Sequence, residues 1–305
     1  MDTTAPTNAG TSRTSSFRRA RALTDGQHAP GPVDQLAARL ALAPDEHRTT
    51  TGMLVQGETK FITWEFPASL KRLEIIQITD MQWGAVCCNR KRIVEYRDWI
   101  LEKPTRFMVW TGDNIDAATM QSKGTTWENV GSPQYQLYEF CEIWAPARHR
   151  ILGYVGGNHE RRCLQTFGDL GITIAALLRI PYSRGKQLID VRFGQWDCFK
   201  INQWHGAGAA MTKGTVAQKL WRFASEGDGD LYLMGHHHQA MTIAFWKERR
   251  GARGRIRSVK TFAATGTSFL EFWGSYGEVQ GFAPSDVLMP RAVIGADGSF
   301  ELTLK

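Results

Sequence analysis

The sequence predicts an α/β protein in which two β-sheets pack face to face, with helices on the outside. Segments with helical and strand-like spacing alternate in the first part of the chain, and strands dominate the last part. At 305 residues and 42% hydrophobic content, the chain also has enough apolar material to bury a core of this size.

From residue 72 onward the elements can be followed one by one. Strands are predicted at short apolar runs, and helices where apolar residues recur every three or four positions. The predicted strands are 73–78, 107–110, 151–155, 188–193, 199–204, 231–234, 240–246, 258–264 and a strand-rich segment at 291–304, the last three mostly antiparallel. The predicted helices are 92–101, 134–147, 172–178 and one that carries Val216, Leu220 and Phe223 and is expected to be capped by Thr215.

The domain organisation is predicted from changes in composition. Residues 1–30 are rich in small polar residues and arginine, and a disordered basic tail is expected there. Residues 31–59 are predicted to contain a short helix, 32–43, and a linker, followed by a single domain at 60–305. No apolar segment follows the tail's arginines, and no apolar run has spanning length, so neither an export signal nor a transmembrane helix is expected. The five cysteines lack metal-binding spacing, which favours reduced thiols and a cytoplasmic location.

Polar side chains follow five of the predicted strands at the point where each strand ends. Because α/β proteins place ligands at the carboxyl ends of strands, these side chains are expected to meet. Their oxygen and imidazole donors suit hard or borderline divalent ions rather than a cysteine-rich zinc site. Seven candidate ligands are too many for one tetrahedral ion but suit two ions that share a carboxylate. The five sets are Asp80 with Gln82, Asp113 with Asp116, Asn158 with His159, His205 alone, and His236 with His238.

In their order along the chain, these motifs resemble those of the calcineurin-like metallophosphoesterases. The motifs are Asp-x-Gln, Gly-Asp-x-x-Asp, Gly-Asn-His-Glu, His-Gly and Gly-His-x-His, and they cover residues 80–238. The resemblance implies a four-layer α/β/β/α sandwich with two mixed sheets and a dinuclear metal site at the strand ends.

The resemblance also implies a role for each site residue. One ion would be held by Asp80, Gln82, Asp113 and His238, and the other by Asp113, Asn158, His205 and His236. His159 would protonate the leaving-group oxygen, and Asp116 would orient His159. A carboxylate beside an imidazole favours its protonated form, which suits a general acid.

Gln82 departs from the family, which usually has histidine at this position. An amide oxygen is a weaker and uncharged ligand, so the site is predicted to favour Mn²⁺ or Mg²⁺ or to hold its first ion loosely. Mn²⁺ is the preferred cofactor, with Mg²⁺, Fe²⁺ and Zn²⁺ as alternatives. A degenerate, inactive member of the family is the remaining alternative.

Two basic features bear on the substrate. Arg161 and Arg162 directly follow the Gly-Asn-His-Glu motif, and Arg161 is the stronger candidate for a phosphate contact. Between Lys247 and Lys260, the chain has seven basic residues and one glutamate. The net charge of this segment is therefore +6, nearly the whole net charge of +7. Arg253, Arg255 and Arg257 belong to this segment, which is predicted to be a hairpin that either follows nucleic-acid phosphates or is only a solvated loop.

The leading prediction is therefore a two-metal phosphodiesterase or nuclease that acts on nucleic acid. The first alternative is a phosphomonoesterase or small-molecule phosphodiesterase similar to protein phosphatases, although Gly156 stands where those enzymes have arginine. The second alternative is a non-catalytic nucleic-acid-binding member of the fold. The sequence does not determine the oligomeric state.

Overall fold

The computed structural model describes residues 49–56, 58–120, 122, 126–194, 196–250, 254–279 and 281–305. The predicted basic tail and the predicted helix at 32–43 lie outside these residues, and so does Arg253.

The described strands form two mixed sheets. A seven-stranded sheet has the order β1-β2-β7-β8-β9-β11-β10, and a six-stranded sheet has the order β13-β12-β3-β4-β5-β6. The strands are β1 (Thr49–Gln56), β2 (Thr59–Glu65), β3 (Arg72–Ile78), β4 (Arg106–Trp110), β5 (Ile151–Val155), β6 (Tyr182–Ser183), β7 (Gln187–Phe193), β8 (Trp196–Trp204), β9 (Leu231–Met234), β10 (Met241–Arg250), β11 (Ile256–Thr265), β12 (Pro290–Gly295) and β13 (Phe300–Leu304).

The helices of the described chain connect strands and lie outside the two sheets. They are α1 (Arg90–Leu101), α2 (Pro133–Trp144), α3 (Asn158–Arg161), α4 (Leu170–Leu178), α5 (Lys213–Ser225) and α6 (Tyr276–Val279). Short 3-10 segments lie at Thr126–Glu128 and Ala145–Arg150.

Three apolar clusters show the order of the layers. Ile75 and Val109 lie in the cluster between the two sheets, whereas Ile76 and Met108 face the helices α1, α2 and α4. This division follows from the strand geometry, in which successive side chains point to opposite faces. A third cluster joins α5 to the outer face of the seven-stranded sheet. The layers are therefore helix, sheet, sheet and helix, and the predicted fold class is confirmed.

The structure differs from two of the sequence-based predictions, namely the start of the first sheet and the N-terminal cap of α5. Strand β1 lies within the segment 31–59 that was predicted as helix and linker, so the sheet begins before residue 60. Three consecutive threonines start β1 without a clear alternation, so its sequence gives little signal. Helix α5 is capped by Thr212, whose hydroxyl accepts a hydrogen bond from the Thr215 amide, and Thr215 is inside the helix.

Two further properties concern the environment of the protein. Within the ranges that the structure describes, no helix is both long and apolar enough to cross a membrane. All five cysteines fall within those ranges, and none of them forms a disulfide bond.

Candidate metal centre

Five parallel strands bring the predicted site residues to one place. Strands β3, β4 and β5 are parallel neighbours in one sheet, and β8 and β9 are parallel neighbours in the other. The carboxyl ends of parallel neighbours lie at the same edge, so the two sheets present five strand ends to one another. Each predicted polar set follows one of these ends.

The first group of side chains consists of Asp80, Gln82 and His238. The Nε2 atom of His238 lies 3.1 Å from Asp80 Oδ1 and 3.4 Å from Gln82 Nε2. A half turn of the amide would bring the Gln82 oxygen to the same place, and oxygen is the atom that a hard cation needs. His238 therefore contacts both Asp80 and Gln82, and Asp113, the fourth residue of the first predicted ion site, belongs to the second group.

The second group consists of Asp113, Asn158, His205 and His236. His205 Nε2 lies 3.0 Å from Asn158 Oδ1 and 3.2 Å from Asp113 Oδ2. Asp113, His205 and His236 can each place one ligand atom within 4.8 Å of the other two. The backbone amide of His236 also donates to Asp80 Oδ2 at 2.9 Å, which joins this group to the first.

Left-handed backbone is concentrated at these residues. Seven non-glycine residues of the described chain have φ between 44° and 75°, and five of them are predicted ligands. Such a conformation costs about 1–3 kcal/mol per residue and persists only where its surroundings enforce it. The five are Asp80, Gln82, Asp113, His236 and His238.

The orientation of His205 suits a metal ligand. Its Nδ1–H donates to the Thr111 carbonyl at 2.6 Å, so Nε2 faces Asp113 and Asn158 and is the ring atom that would bind a cation. Burial alone would lower the pKa of His205, but the nearby charges of Asp113 and Asp80 outweigh burial and raise it to about 9. Without a cation, a protonated His205 balances part of the buried negative charge.

His236 differs from His205. Burial, followed by the charge of His205, lowers the pKa of His236 to about 4, so its imidazole is neutral at physiological pH. A neutral imidazole is the form that binds metal.

The donor set fits two divalent cations. The carboxylates of Asp80 and Asp113 are almost completely buried, and no lysine or arginine forms an ion pair with them in the described part of the chain. Buried carboxylates need a compensating cation. Carboxylate, amide and imidazole donors together match Mn²⁺, Fe²⁺, Zn²⁺ or Mg²⁺. The ligand roles and the identity of the metal remain predictions.

His159 lies beside the second group and contacts two carboxylates. Its Nδ1–H donates to Asp116 Oδ1 at 2.9 Å, as the predicted pairing requires, and its Nε2 lies 3.6 Å from Asp113 Oδ2. Burial opposes the charged ring, but Asp113 and Asp116 together raise the pKa of His159. Asn129 holds the other oxygen of Asp116 at 2.7 Å.

The two neighbouring arginines occupy different positions. Arg162 Nη2 donates to His159 Nε2 at 2.7 Å, and Arg162 Nη1 donates to the Asp116 carbonyl at 3.0 Å. Arg161 is exposed, and its Nε donates to the Gly157 carbonyl at 3.0 Å. Of the pair, Arg162 is the one that contacts His159 and Asp116.

The basic segment forms the far end of the β10–β11 hairpin. Lys247 donates to backbone carbonyls of Ala224 and Gly227, and Arg249 forms ion pairs of 2.6 Å with Asp228 and Asp230. These two basic residues anchor the hairpin to the loop after α5.

The remaining basic side chains of this segment lie far from the metal centre. Arg255 and Arg257 are exposed, without an ion pair to any described residue. Strand β10 begins three residues after His238 and is ten residues long, so its far end lies about 30 Å from its start. The structure therefore does not bring these arginines into the metal centre.

Glu160 connects the loops that carry the ligands. Its side chain has no solvent exposure, and it accepts hydrogen bonds from the amides of Asp113, Asn114 and Gly157 at 3.2, 2.7 and 2.9 Å. The Tyr154 hydroxyl donates a fourth hydrogen bond at 2.8 Å. Burial and the charge of Asp113 raise the pKa of Glu160.

Sequence reasoning assigned no role to Glu160 or Asn129 and ranked Arg162 below Arg161. Arg162 could have been found, because it lies three residues after His159, a spacing that places side chains together on a helical turn. Asn129 lies in a loop whose sequence carries no comparable signal.

Comparisons with known proteins concern the fold. No family model matches the chain, and no curated protein matches it. A predicted phosphoesterase from Streptococcus pneumoniae TIGR4 is similar in structure, with 15% identity and a TM-score of 0.35, over 78% of this chain and 100% of that one. Vps29 of Chaetomium thermophilum is similar with 11% identity and a TM-score of 0.34, over 76% of this chain and 96% of that one. At such identities the likeness concerns the fold alone.

Replacement of Glu160 tests whether it supports the metal centre without being a ligand. In Glu160→Gln, the new NH₂ group faces backbone donors, so at least one buried donor loses its partner. We expect the free energy of unfolding to fall by about 1–3 kcal/mol and Mn²⁺ affinity to weaken, as measured by urea denaturation and calorimetric titration. Tyr154→Phe, which removes a single donor, should have a smaller effect on both. Unchanged metal affinity in Glu160→Gln would show that the loops keep their positions without this carboxylate.

Proposed function

We propose that this protein is a metal-dependent phosphoesterase that hydrolyses phosphodiesters. The observation that carries the proposal is the contact between two ligand groups and a hydrogen-bonded histidine–aspartate pair. The Nε2 atom of His159 lies 3.6 Å from Asp113, the carboxylate predicted to be shared by both ions. His159 thus lies beside the place where a phosphoryl group would bind.

Two divalent ions bound at such a site would polarise the phosphoryl oxygens and supply hydroxide at neutral pH. The chain's own residues would then complete the hydrolysis. As the bond from phosphorus to the leaving oxygen breaks and an oxygen from water bonds to phosphorus in its place, His159 Nε2 would give a proton to the leaving oxygen. Asp116 holds the opposite ring nitrogen through its hydrogen bond, which keeps Nε2 directed at the leaving group.

The presence of every predicted site residue favours an active enzyme over a degenerate member of the family. All seven predicted ligands and the pair His159–Asp116 are present and in contact within their groups. The strained backbone at five of the ligands supports the same view, because strain of this kind is maintained at functional sites.

We further propose nucleic acid as the substrate class, on the basis of the β10–β11 hairpin. The hairpin starts next to the metal centre, and its exposed arginines lie about 30 Å away. At about 3.4 Å per nucleotide along one strand of a duplex, a substrate must extend over roughly nine nucleotides to reach both. The substrate of a phosphomonoesterase or small-molecule diesterase would be too short to reach these arginines from the metal centre.

The metal requirement gives the first test. Asp113→Asn removes the shared negative charge, so we expect hydrolysis of bis(4-nitrophenyl) phosphate with added Mn²⁺ to fall to near background. Asp98→Asn, which changes an exposed carboxylate on α1, should retain activity. Full activity of the wild-type protein after exhaustive dialysis against chelator would refute a metal-dependent mechanism. Faster hydrolysis of 4-nitrophenyl phosphate than of the diester would favour the monoesterase alternative.

The role of His159 gives the second test. His159→Ala should retain Mn²⁺ binding but lower kcat by about 10²–10⁴-fold on a diester with a poor leaving group such as phenol. The loss should be smaller with 4-nitrophenol, which departs without protonation. If both substrates lose the same factor, His159 does not act as the acid.

The hairpin gives the third test. Changing Arg253, Arg255 and Arg257 to Glu should weaken binding of oligonucleotides longer than about nine nucleotides, and it should reduce the slope of log K against log salt by roughly one unit per lost contact. Shorter oligonucleotides and the aryl diester should be unaffected, because charges are screened within about 10 Å.

A matched control changes the same amount of charge elsewhere. The exposed residues Lys91, Lys103 and Arg222 lie outside the hairpin, and their replacement by Glu should leave affinity for long oligonucleotides nearly intact. Equal losses in the two triple variants would mean that only the overall charge matters, and the small-molecule esterase would become the better interpretation.

A further inference from the structure

The guanidinium of Arg162 occupies the position from which His159 would have to act. Its Nη2 donates to His159 Nε2 at 2.7 Å, and Nε2 is the ring atom that faces Asp113. The side chain of Arg162 is 22% exposed, so it lies at the border between the site and solvent. Any leaving group that His159 protonates must therefore approach Arg162 closely.

Arg162 is the donor of this hydrogen bond, and His159 Nε2 is the acceptor. A guanidinium only donates hydrogen bonds, so His159 Nε2 accepts one from Arg162 and carries no proton in this arrangement. For Nε2 to give a proton to a leaving-group oxygen, Arg162 Nη2 must first release that atom, and Nε2 must then take up a proton from solvent water. The oxygen atoms of a bound phosphoryl group are then the nearest new acceptors.

The charge of Arg162 is available for such a contact. Its nearest described carboxylate oxygen is Asp116 Oδ1 at 3.5 Å, which is longer than a strong charge-assisted hydrogen bond. That same oxygen already accepts from His159 at 2.9 Å. The Asp116 carbonyl accepts from Arg162 Nη1 at 3.0 Å, and because the guanidinium is a rigid plane, rotation of the whole group about this contact would carry Nη2 to a new acceptor.

We propose that Arg162 is a substrate-binding residue whose Nη2 moves from His159 Nε2 to a phosphoryl or leaving-group oxygen when substrate enters. This inference rests on the proposed phosphoesterase function and assigns a residue to the leaving-group side of that site. Arg162 transfers no proton in this step. It exchanges one hydrogen-bond acceptor for another and stabilises the negative charge on the oxygen that accepts the proton of His159.

A simpler role must be separated from this one. Arg162 could merely orient His159, and its loss would then act only through His159. The two roles differ in a background that lacks the imidazole. A substrate contact still contributes there, whereas a positioning residue no longer has anything to position.

The experiment compares four proteins loaded with Mn²⁺: the wild type, Arg162→Ala, His159→Ala and the double variant. We expect Arg162→Ala to lower kcat/KM for bis(4-nitrophenyl) phosphate by about 10- to 100-fold, the size expected for a hydrogen bond to a charged group. In the His159→Ala background, the same change should still lower kcat/KM by about tenfold or more. Arg222→Ala, an exposed arginine on α5, serves as the control with normal activity.

Orthophosphate binding provides a readout that does not depend on turnover. Calorimetry should show about tenfold weaker binding of inorganic phosphate to Arg162→Ala than to the wild type, with or without His159. Arg162→Lys keeps the charge but loses the two-pronged geometry, so it should bind phosphate with intermediate affinity. Thermal melting and the bound Mn²⁺ content identify any variant that fails to fold, and Arg162→Lys then carries the test.

The outcomes distinguish the two proposals. If the wild type does not hydrolyse the diester, the proposed function fails, and phosphate binding still tests Arg162. If the wild type is active but Arg162→Ala has unchanged kcat/KM, the assignment of Arg162 is overturned. It is also overturned if the effect on kcat/KM vanishes in the His159→Ala background and phosphate affinity is unchanged. A larger loss in Arg161→Ala than in Arg162→Ala would also overturn it.

Discussion

The loops that carry the predicted metal ligands depend on the buried carboxylate of Glu160. It accepts hydrogen bonds from the loop after β4 through Asp113 and Asn114, and from the end of β5 through Gly157. These bonds fix the backbone on both sides of the predicted shared ligand. A buried carboxylate is stable only when its oxygens are satisfied, so the loops and the carboxylate stabilise one another. Glycine at 157 is required here, because a Cβ would lie 2.0 Å from Asp113 Oδ1.

Backbone contacts between the loops explain how the left-handed residues are maintained. The amides of Asp80 and Gln82 donate to the carbonyls of Gly112 and Asp113, both at 2.9 Å. The loops after β3 and β4 thus remain paired beyond the regular sheet, while left-handed turns reorient individual side chains. The side chains of Gln82 and Asp113 contact His238 and His205, respectively, which follow strands of the facing sheet. The cost in backbone strain is offset by hydrogen bonds that only this arrangement allows.

The sequence predicted the fold and the gathering of the site residues because both depend on short-range patterns. Apolar runs predicted β3, β4, β5 and β9. A polar residue that follows a parallel strand lies at the same edge of the sheet as those that follow its neighbours. The details of contact depend on three-dimensional packing, which the sequence does not encode locally. The Asn129–Asp116 hydrogen bond joins residues thirteen positions apart across an irregular loop, and no spacing rule predicts it. Arg161 was the preferred candidate for a phosphate contact. The spacing of three residues between His159 and Arg162 instead places the Arg162 side chain beside His159.

In the proposed function, substrate recognition has two parts that differ in range. Arg162 lies within hydrogen-bond distance of the predicted acid, so it would contact any phosphoester that enters the site. The hairpin arginines lie about 30 Å along β10, and their charge reaches the centre only through a long polyanion. The anchoring of Lys247 and Arg249 to the loop after α5 makes the hairpin part of the sheet. In the proposed function, the exposed Arg255 and Arg257 would add affinity for extended substrates without altering the chemistry at His159.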